Sequence, residues 1–392
     1  MYAYLDIYKQ FQCIGTECRN SCCATGWQIP LVDRVTEYYE NLEGEFGDFL
    51  RRNIVKSEGK KTFVKLTPEH KCPFLNEKGL CRIYIECGEQ WMSDVCRLFP
   101  RARYDKNGNA IRGLSVSCEE VLRLLYSKPE AIHLCAEATT EAGAVEERSF
   151  FELVTFIRWG MELLQDETIP FGAALATVVY TSMEAQPFFA KRDFENFGKV
   201  LRQASGVQEQ FIQTERELSS DIGETAWQLL FGVTDTFCQI LNEAEALERE
   251  NYLWGHEVFD KKDEDRCRFL KGCHKQRKPD RRHRTFMRRL AACYFLICSM
   301  KCEEEPADAL YLTDFCNYLI VEELLPLTWK DAPEYGGAVC FSRMSRISSF
   351  FEESGIIRQF VGPVIQDLFH PDVFSYAVAF MALFDDLSGT FE

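Results

Sequence analysis

Cys13-Ile14-Gly15-Thr16-Glu17-Cys18-Arg19-Asn20-Ser21-Cys22-Cys23 sets four thiols within eleven residues, two of them adjacent, and leads on to Gly26-Trp27. Such a stretch serves as a disulfide framework, as small buried residues or as metal ligands, and that choice decides what this part of the chain folds around. The residues before it, Met1-Tyr2-Ala3-Tyr4-Leu5-Asp6, carry no basic start and no apolar run, so no secretory signal is expected. The longest apolar runs, Leu290 to Ile297 and Phe171 to Tyr180, fall short of the roughly 20 residues needed to cross a bilayer. A cytoplasmic location without membrane association is expected. Thiols stay reduced there, which turns clustered cysteines toward metal ligation or catalysis.

Working outward, the front of the chain adds Cys72-x8-Cys81-x14-Cys96-x21-Cys118, with Cys87 among them. Nine of the 18 cysteines lie in the first 118 residues, so the enrichment is local. Most of the others sit in helical, apolar settings such as Ala292-Cys293-Tyr294 and Phe315-Cys316-Asn317, where cysteine acts as a small hydrophobe. Thiolates are soft ligands suited to zinc or iron–sulfur clusters. Short spacings let one loop present several sulfurs, and distant cysteines complete the shell once the chain folds. The side chains of adjacent Cys22 and Cys23 diverge, which a multi-iron cluster accommodates more easily than one tetrahedral zinc; both metals stay open. Arg19, Arg97 and Arg101 supply cations that stabilise an anionic thiolate centre, or else a solvated surface.

The fold expected is mainly α. A small, irregular, cysteine-rich α+β module over residues 1–125 packs against an all-helical body over 126–392. Phe63-Val64-Lys65-Leu66 and Cys81-Arg82-Ile83-Tyr84-Ile85 read as short strands, and Asn107-Gly108 reads as a type I′ hairpin turn between Ala102-Arg103-Tyr104 and Ile111 to Val116. Past residue 126 the period becomes helical. Ser149-Phe150-Phe151-Glu152 has the form of a capping box, and Phe150, Leu153, Val154, Ile157, Met161 and Leu164 recur on one face. Further helices are expected near 172–186, 190–217, 222–249, 285–302, 308–325 and 372–386, the last two starting near Pro306 and Asp372.

The blocks FQCIGTECRNSCCATGWQI, CPFLNEKGLCRIYIECGE, DVCRLFPR and SVSCEE, in that order over roughly residues 5–120, resemble the flagellin lysine-N-methylase family. That family is related to cysteine-rich proteins with a zinc- or iron-chelating domain. The resemblance implies a cytoplasmic methyltransferase that moves methyl groups from S-adenosylmethionine to lysine side chains of flagellin, the bacterial flagellum's subunit, and that depends on a 4Fe-4S cluster. Carried over by position, the metal ligands implied are Cys13, Cys18, Cys22, Cys23, Cys72, Cys81, Cys96 and Cys118. Cys87 falls where relatives are expected to differ and is left out. Eight thiols exceed the four that one cluster takes, so either two metal centres bind or some thiols are spare.

Apart from the resemblance, methyl transfer has little local signature. No Gly-x-Gly-x-x-Gly fingerprint follows a strand, and Cys18-x3-Cys22 is followed by Thr25 where a radical-type motif needs its third cysteine. A sulfonium donor calls for aromatic faces, and Trp27, Trp91 and Tyr84 lie near the cysteine motifs. Trp27, Tyr84, Arg97 and Arg101 are the cofactor-binding candidates; no catalytic residue and no oligomeric state is signalled. A non-catalytic metal-binding or metal-delivery protein with a partner-binding helical body is the alternative.

The formal net charge of -16 argues against nucleic-acid binding by the whole protein. Within it, Arg266 to Arg289 carries eleven Lys or Arg and one acid, Asp280, a local reversal that suits an acidic partner or a solvated helix start. Cys267, Cys273, His274 and His283 in that run are spaced irregularly for zinc.

Overall fold

The chain begins as a core strand. In β1 (Tyr2–Leu5) Ala3 and Leu5 are buried and Tyr2 and Tyr4 face outward, the alternation a half-buried strand requires. The computed structural model describes residues 1–217 apart from 20, 25–26, 58–60, 70 and 139–146, together with 281–300 and positions 265, 268, 341, 344 and 345. After β1 come β2 (Pro30–Leu31), α1 (Asp33–Asn41), α2 (Gly44–Arg52), β3 (Ile54–Lys56) and β4 (Thr62–Val64). Then follow α3 (Arg82–Cys87), α4 (Asp94–Leu98), β5 (Arg101–Lys106), β6 (Asn109–Leu114), α5 (Glu119–Ser127) and β7 (Leu134–Glu137). The described chain beyond is helical: α6 (Arg148–Gln165), α7 (Phe171–Ala190), α8 (Phe194–Arg216) and α9 (Arg281–Ser299). This is the expected class, an α+β front and helices behind it. Among the described residues no helix is long and apolar enough to cross a membrane.

Two sheets organise the front. One has the order β5-β6-β1-β7, with β1 parallel to β6 and antiparallel to β7; the other has the order β2-β4-β3. The β5–β6 hairpin turns at Asn107 and Gly108, both with positive φ (49° and 74°), as the Asn-Gly pair predicts.

Two hydrophobic cores follow from this. The larger joins Ala3, Leu5, Ile111, Leu114, Val121 and Leu125 to the inner faces of α6, α7 and α9. All six residues of the expected α6 stripe, from Phe150 to Leu164, are buried in it. The smaller joins Ile29, Leu31, Val35, Tyr39, Leu50, Val64, Phe74 and Ile83, with Cys72, Cys81, Cys87 and Cys96 packed against it. Elements of the first strand and of residues 104–134 therefore belong to the core of the helical part, with Cys118 packed against it, and the small core carries Cys72, Cys81, Cys87 and Cys96. A fully buried side chain such as Tyr39 or Phe74 contributes about 1.5–3 kcal/mol, so even the small core is a folding unit and not a mere loop cluster.

Three local expectations are corrected. Cys81 to Ile85 is not a strand: Cys81 makes one bridge to Leu75 and then caps α3. The Arg82–Glu86 ion pair at i,i+4 (2.8 Å) and Gly88 at φ 91° support that short helix over the β-rich composition of Ile-Tyr-Ile. The strand expected over Phe63–Leu66 is Thr62–Val64. The capping box is absent, since α6 has Glu147 at its N-cap and Ser149 inside the first turn, its hydroxyl donating to Glu147. The helices expected near 222–249, 308–325 and 372–386, with Pro306 and Asp372, lie outside the described residues, as do Cys267, Cys273 and His274.

The end of the basic run is built into the larger core. Arg288 donates to the carbonyls of Leu164, Asp166 and Ile169, closing the C-terminal end of α6, and Arg289 donates to that of Leu125. Arg281 pairs with Glu167 at 3.1 Å, and Arg282 lies 4.2 Å from the Tyr126 ring. These four cations hold helices together.

Candidate metal centre

The opening cysteine stretch forms two single turns of 3-10 helix, Gly15–Glu17 and Cys22–Ala24. Gly15 takes φ +58°, which lets the chain fold back so that its N–H reaches Cys13 Sγ at 3.4 Å. The second turn is tied to the next thiol block by a backbone hydrogen bond from Cys72 N to Cys23 O at 2.9 Å. Cys72 and Cys81 flank a tight loop held by Asn76, and Cys96 sits on α4, all against the small core. No described cysteine is in a disulfide.

These thiols form one electrostatic neighbourhood centred on Cys23. Its charge pushes up the pKa of Cys22, Cys72, Cys81 and Cys96 alike. Cys22 and Cys23 share a proton: Cys22 is pushed up chiefly by its hydrogen bond to Cys23, and Cys23 is lowered by the same bond. Burial raises Cys72 to about 12, and raises Cys96 and Cys81 as well. Against burial, main-chain amides point at the sulfurs, Phe74 at Cys72 and Tyr84 with Ile83 at Cys81. Cys81 is the N-cap of α3, so these amides act without closing a full capping hydrogen bond.

A second group stands beside the first. Burial raises Cys118, the N-cap of α5, to about 11; the amides of Val121 and Glu120 oppose the rise, and Cys13 adds to it. Cys13 also acts on Cys22, which links the groups. Cys18 Sγ lies 3.6 Å from Glu119 Oε2, and the same oxygen accepts Arg19 N–H at 2.9 Å. Glu119 is buried, and it fastens the first cysteine loop to the start of α5. Sequence reasoning missed it; its signal was a carboxylate directly after a loop-closing cysteine. Burial raises the pKa of Cys87, and its hydrogen bond with the Tyr38 hydroxyl opposes the rise.

The donor chemistry is that of a thiolate-held metal: five unbridged thiols from three chain segments act on one another electrostatically, and amides are directed at Cys72 and Cys81. Among the described residues no group of three or more His, Cys, Asp or Glu side chains is drawn together tightly enough to hold a metal ion as it stands.

The cofactor-binding candidates are spread around this neighbourhood. Trp27 packs edge-on against Phe99 with ring centroids 4.7 Å apart, and Tyr84 stands exposed on α3. Arg97 pairs with Asp94 at 3.0 Å. Arg101 reaches Phe11 O at 3.4 Å and lies 5.0 Å from the Phe11 ring. Trp91 is stacked on Tyr38 at 3.7 Å, with Arg34 5.1 Å from its ring.

No protein-family model matches the chain, and no solved structure matches it. Among curated proteins, the chain is 29% identical over 146 residues to the flagellar biosynthetic protein FliU of Salmonella muenchen, covering 36% of this chain and 85% of that one. It is 30% identical over 131 residues to the lysine-N-methylase of Salmonella typhimurium, and 31% identical over 130 residues to that of Salmonella choleraesuis. The chain spans about a third (32%) of the length of each of these two, and 32% of this chain is matched. Over that third the chain is similar to the proteins named lysine-N-methylase.

Proposed function

We propose that the protein transfers methyl groups from S-adenosylmethionine to lysine side chains of flagellin, in the cytoplasm, and that it works with a metal centre held by its front thiols. The observation that carries the activity is the 30% identity to proteins named lysine-N-methylase; the flagellar name of the third relative supports the substrate. The thiol neighbourhood around Cys23 supports the centre. Cys22, Cys23, Cys72, Cys81 and Cys96 would hold it, with Cys13, Cys18 and Cys118 beside them, and the donor chemistry favours a 4Fe-4S cluster or zinc. If one metal ion of such a centre were left without a protein ligand, it would supply a Lewis-acid position for an anionic group.

The chemistry asks two things of the chain itself. A lysine ammonium has no lone pair, so the acceptor must lose a proton before the methyl moves. The sulfonium donor is a cation that aromatic faces attract. Trp27 and Tyr84 are the candidate faces beside the thiol blocks, and Tyr84 is open to solvent.

The test is methyl transfer with protein purified under anaerobic conditions, S-adenosylmethionine and purified flagellin, read as methyllysine by mass spectrometry. Wild-type protein is expected to methylate and a Cys23→Ser variant to lose at least about tenfold of the rate. Metal-loaded wild-type protein that leaves flagellin unmodified would remove the enzymatic reading and leave a metal-binding protein.

A further inference from the structure

The outer face of the β5-β6-β1-β7 sheet has no place in the chemistry above, and its composition is unusual for this chain. Residues opposite one another in a sheet share a face. Arg103, Arg112, Tyr4 and Cys135 are in register across the four strands, and the row two residues along reads Asp105, Ala110, Tyr2 and Glu137. The row between them contributes Tyr104, Ile111 and Ala3 to the large core, so the two outer rows look to solvent. Lys9 lies 4.1 Å from the Tyr4 ring, and Tyr8 is within electrostatic range of Arg101, Arg103, Arg112 and Tyr2.

Four basic groups, Lys9, Arg101, Arg103 and Arg112, thus meet two carboxylates on one face of a protein whose net charge is -16. Asp105 pairs with Arg112, and Glu137 with Lys9. Arg103 is exposed and has no ion pair or hydrogen bond among the described residues. Tyrosine and arginine are the residue types that concentrate binding energy in protein interfaces, and guanidinium groups match carboxylates in a bidentate fork.

We propose that this sheet face docks an acidic segment of a partner protein. The excess of guanidinium groups supplies the charge complementarity, and the tyrosines supply flat contact area. The interspersed Asp105 and Glu137 break up the positive face, which flexible carboxylate side chains can avoid and the evenly spaced phosphates of a nucleic-acid backbone cannot. Arg101 joins the face to Phe11, two residues before Cys13, so a docked segment adjoins the thiol-bearing loop. The inference concerns binding alone and stands whether or not methyl transfer occurs.

Fluorescence anisotropy with a labelled decaglutamate peptide tests it on the full chain, with a labelled ten-nucleotide oligothymidine as comparator. The peptide is expected to bind, to weaken with added salt, and to lose about tenfold in affinity in Arg103→Glu and more in Lys9→Glu/Arg103→Glu. Lys199→Glu on α8, far along the chain, is expected to bind as wild type. On unaltered protein, hydrogen exchange is expected to slow in β1 and β5 when the peptide is added. Absent binding, binding indifferent to both reversals, unchanged exchange in β1 and β5, or tighter binding of the oligonucleotide with the same dependence on Arg103 would each overturn the proposal.

Discussion

Cys23 and Cys87 show how differently two thiols of one module can be used. Cys23 perturbs four other thiols and is itself drawn toward the thiolate by Cys22, whereas Cys87 is turned to a tyrosine hydroxyl at the end of α3. Cys23→Ser is therefore expected to cut the metal bound per chain to less than about half, and Cys87→Ser to leave it unchanged. Iron and zinc analysis of both variants after anaerobic purification checks this; equal losses in the two would show that Cys23 has no special place. The choice of Cys87 as the odd thiol rested on resemblance, and spacing alone does not separate it from Cys81 or Cys96. Glu119 was illegible for a related reason. A buried carboxylate earns its role only from the N–H and S–H groups that the fold brings to it, and nothing in Cys118-Glu119-Glu120 says which of the two acids will meet the distant loop.

Among the elements, those whose pattern is long or whose turn chemistry is specific were legible in advance. The α6 stripe spans four turns and reports its buried face directly, and Asn107-Gly108 demands the hairpin. The shortest elements were not. At six residues, Arg82 to Cys87 offers no periodicity to weigh against its β-branched content, and an ion pair and a terminating glycine decide it. The approach of α6 and α9 depends on Gly160, where an added Cβ would lie 2.1 Å from the Phe295 ring. Phe295 is fully buried, so the ring has little room to move. Gly160→Ala is expected to cost about 1–3 kcal/mol through overpacking, seen as a lowered urea midpoint. Gly206, inside α8 with open space around its Cα, is the matched control: Gly206→Ala is expected to stabilise by roughly 0.5–1 kcal/mol. A Gly160→Ala variant as stable as wild type would mean that the two helices pack with slack.

Taken whole, the molecule places four of its thiols on a small core and its first strand and Cys118 on the large one, with Glu119 bridging from α5 to the first loop. That bridging arrangement was hidden from the sequence, because residues 2–5 and 101–137 become neighbours only through the long-range pairing of β1 with β6 and β7. One consequence concerns pH. In the metal-free protein burial raises Cys72, Cys81, Cys96 and Cys118 above the ordinary thiol value of 9.0, Cys72 to about 12 and Cys118 to about 11. A thiol raised on folding binds its proton more tightly in the folded chain than in the unfolded one. Its contribution to stability is complete below pH 9 and is lost as pH climbs through the folded value. Cys22 and Cys87 are raised as well, and Cys23, lowered, contributes with the opposite sign, one group against six. The urea midpoint of metal-free protein is therefore expected to hold steady near neutrality and to fall between about pH 9 and 12. Metal reverses the condition of these same groups: ligation needs thiolates, so loading at pH 7 must expel protons, and affinity must rise with pH. Zinc titration in weak buffer with a pH indicator dye is expected to release at least about two protons per metal bound. Binding without proton release would show that the metal sits elsewhere than on the buried thiols, and the centre proposed around Cys23 would have to be given up.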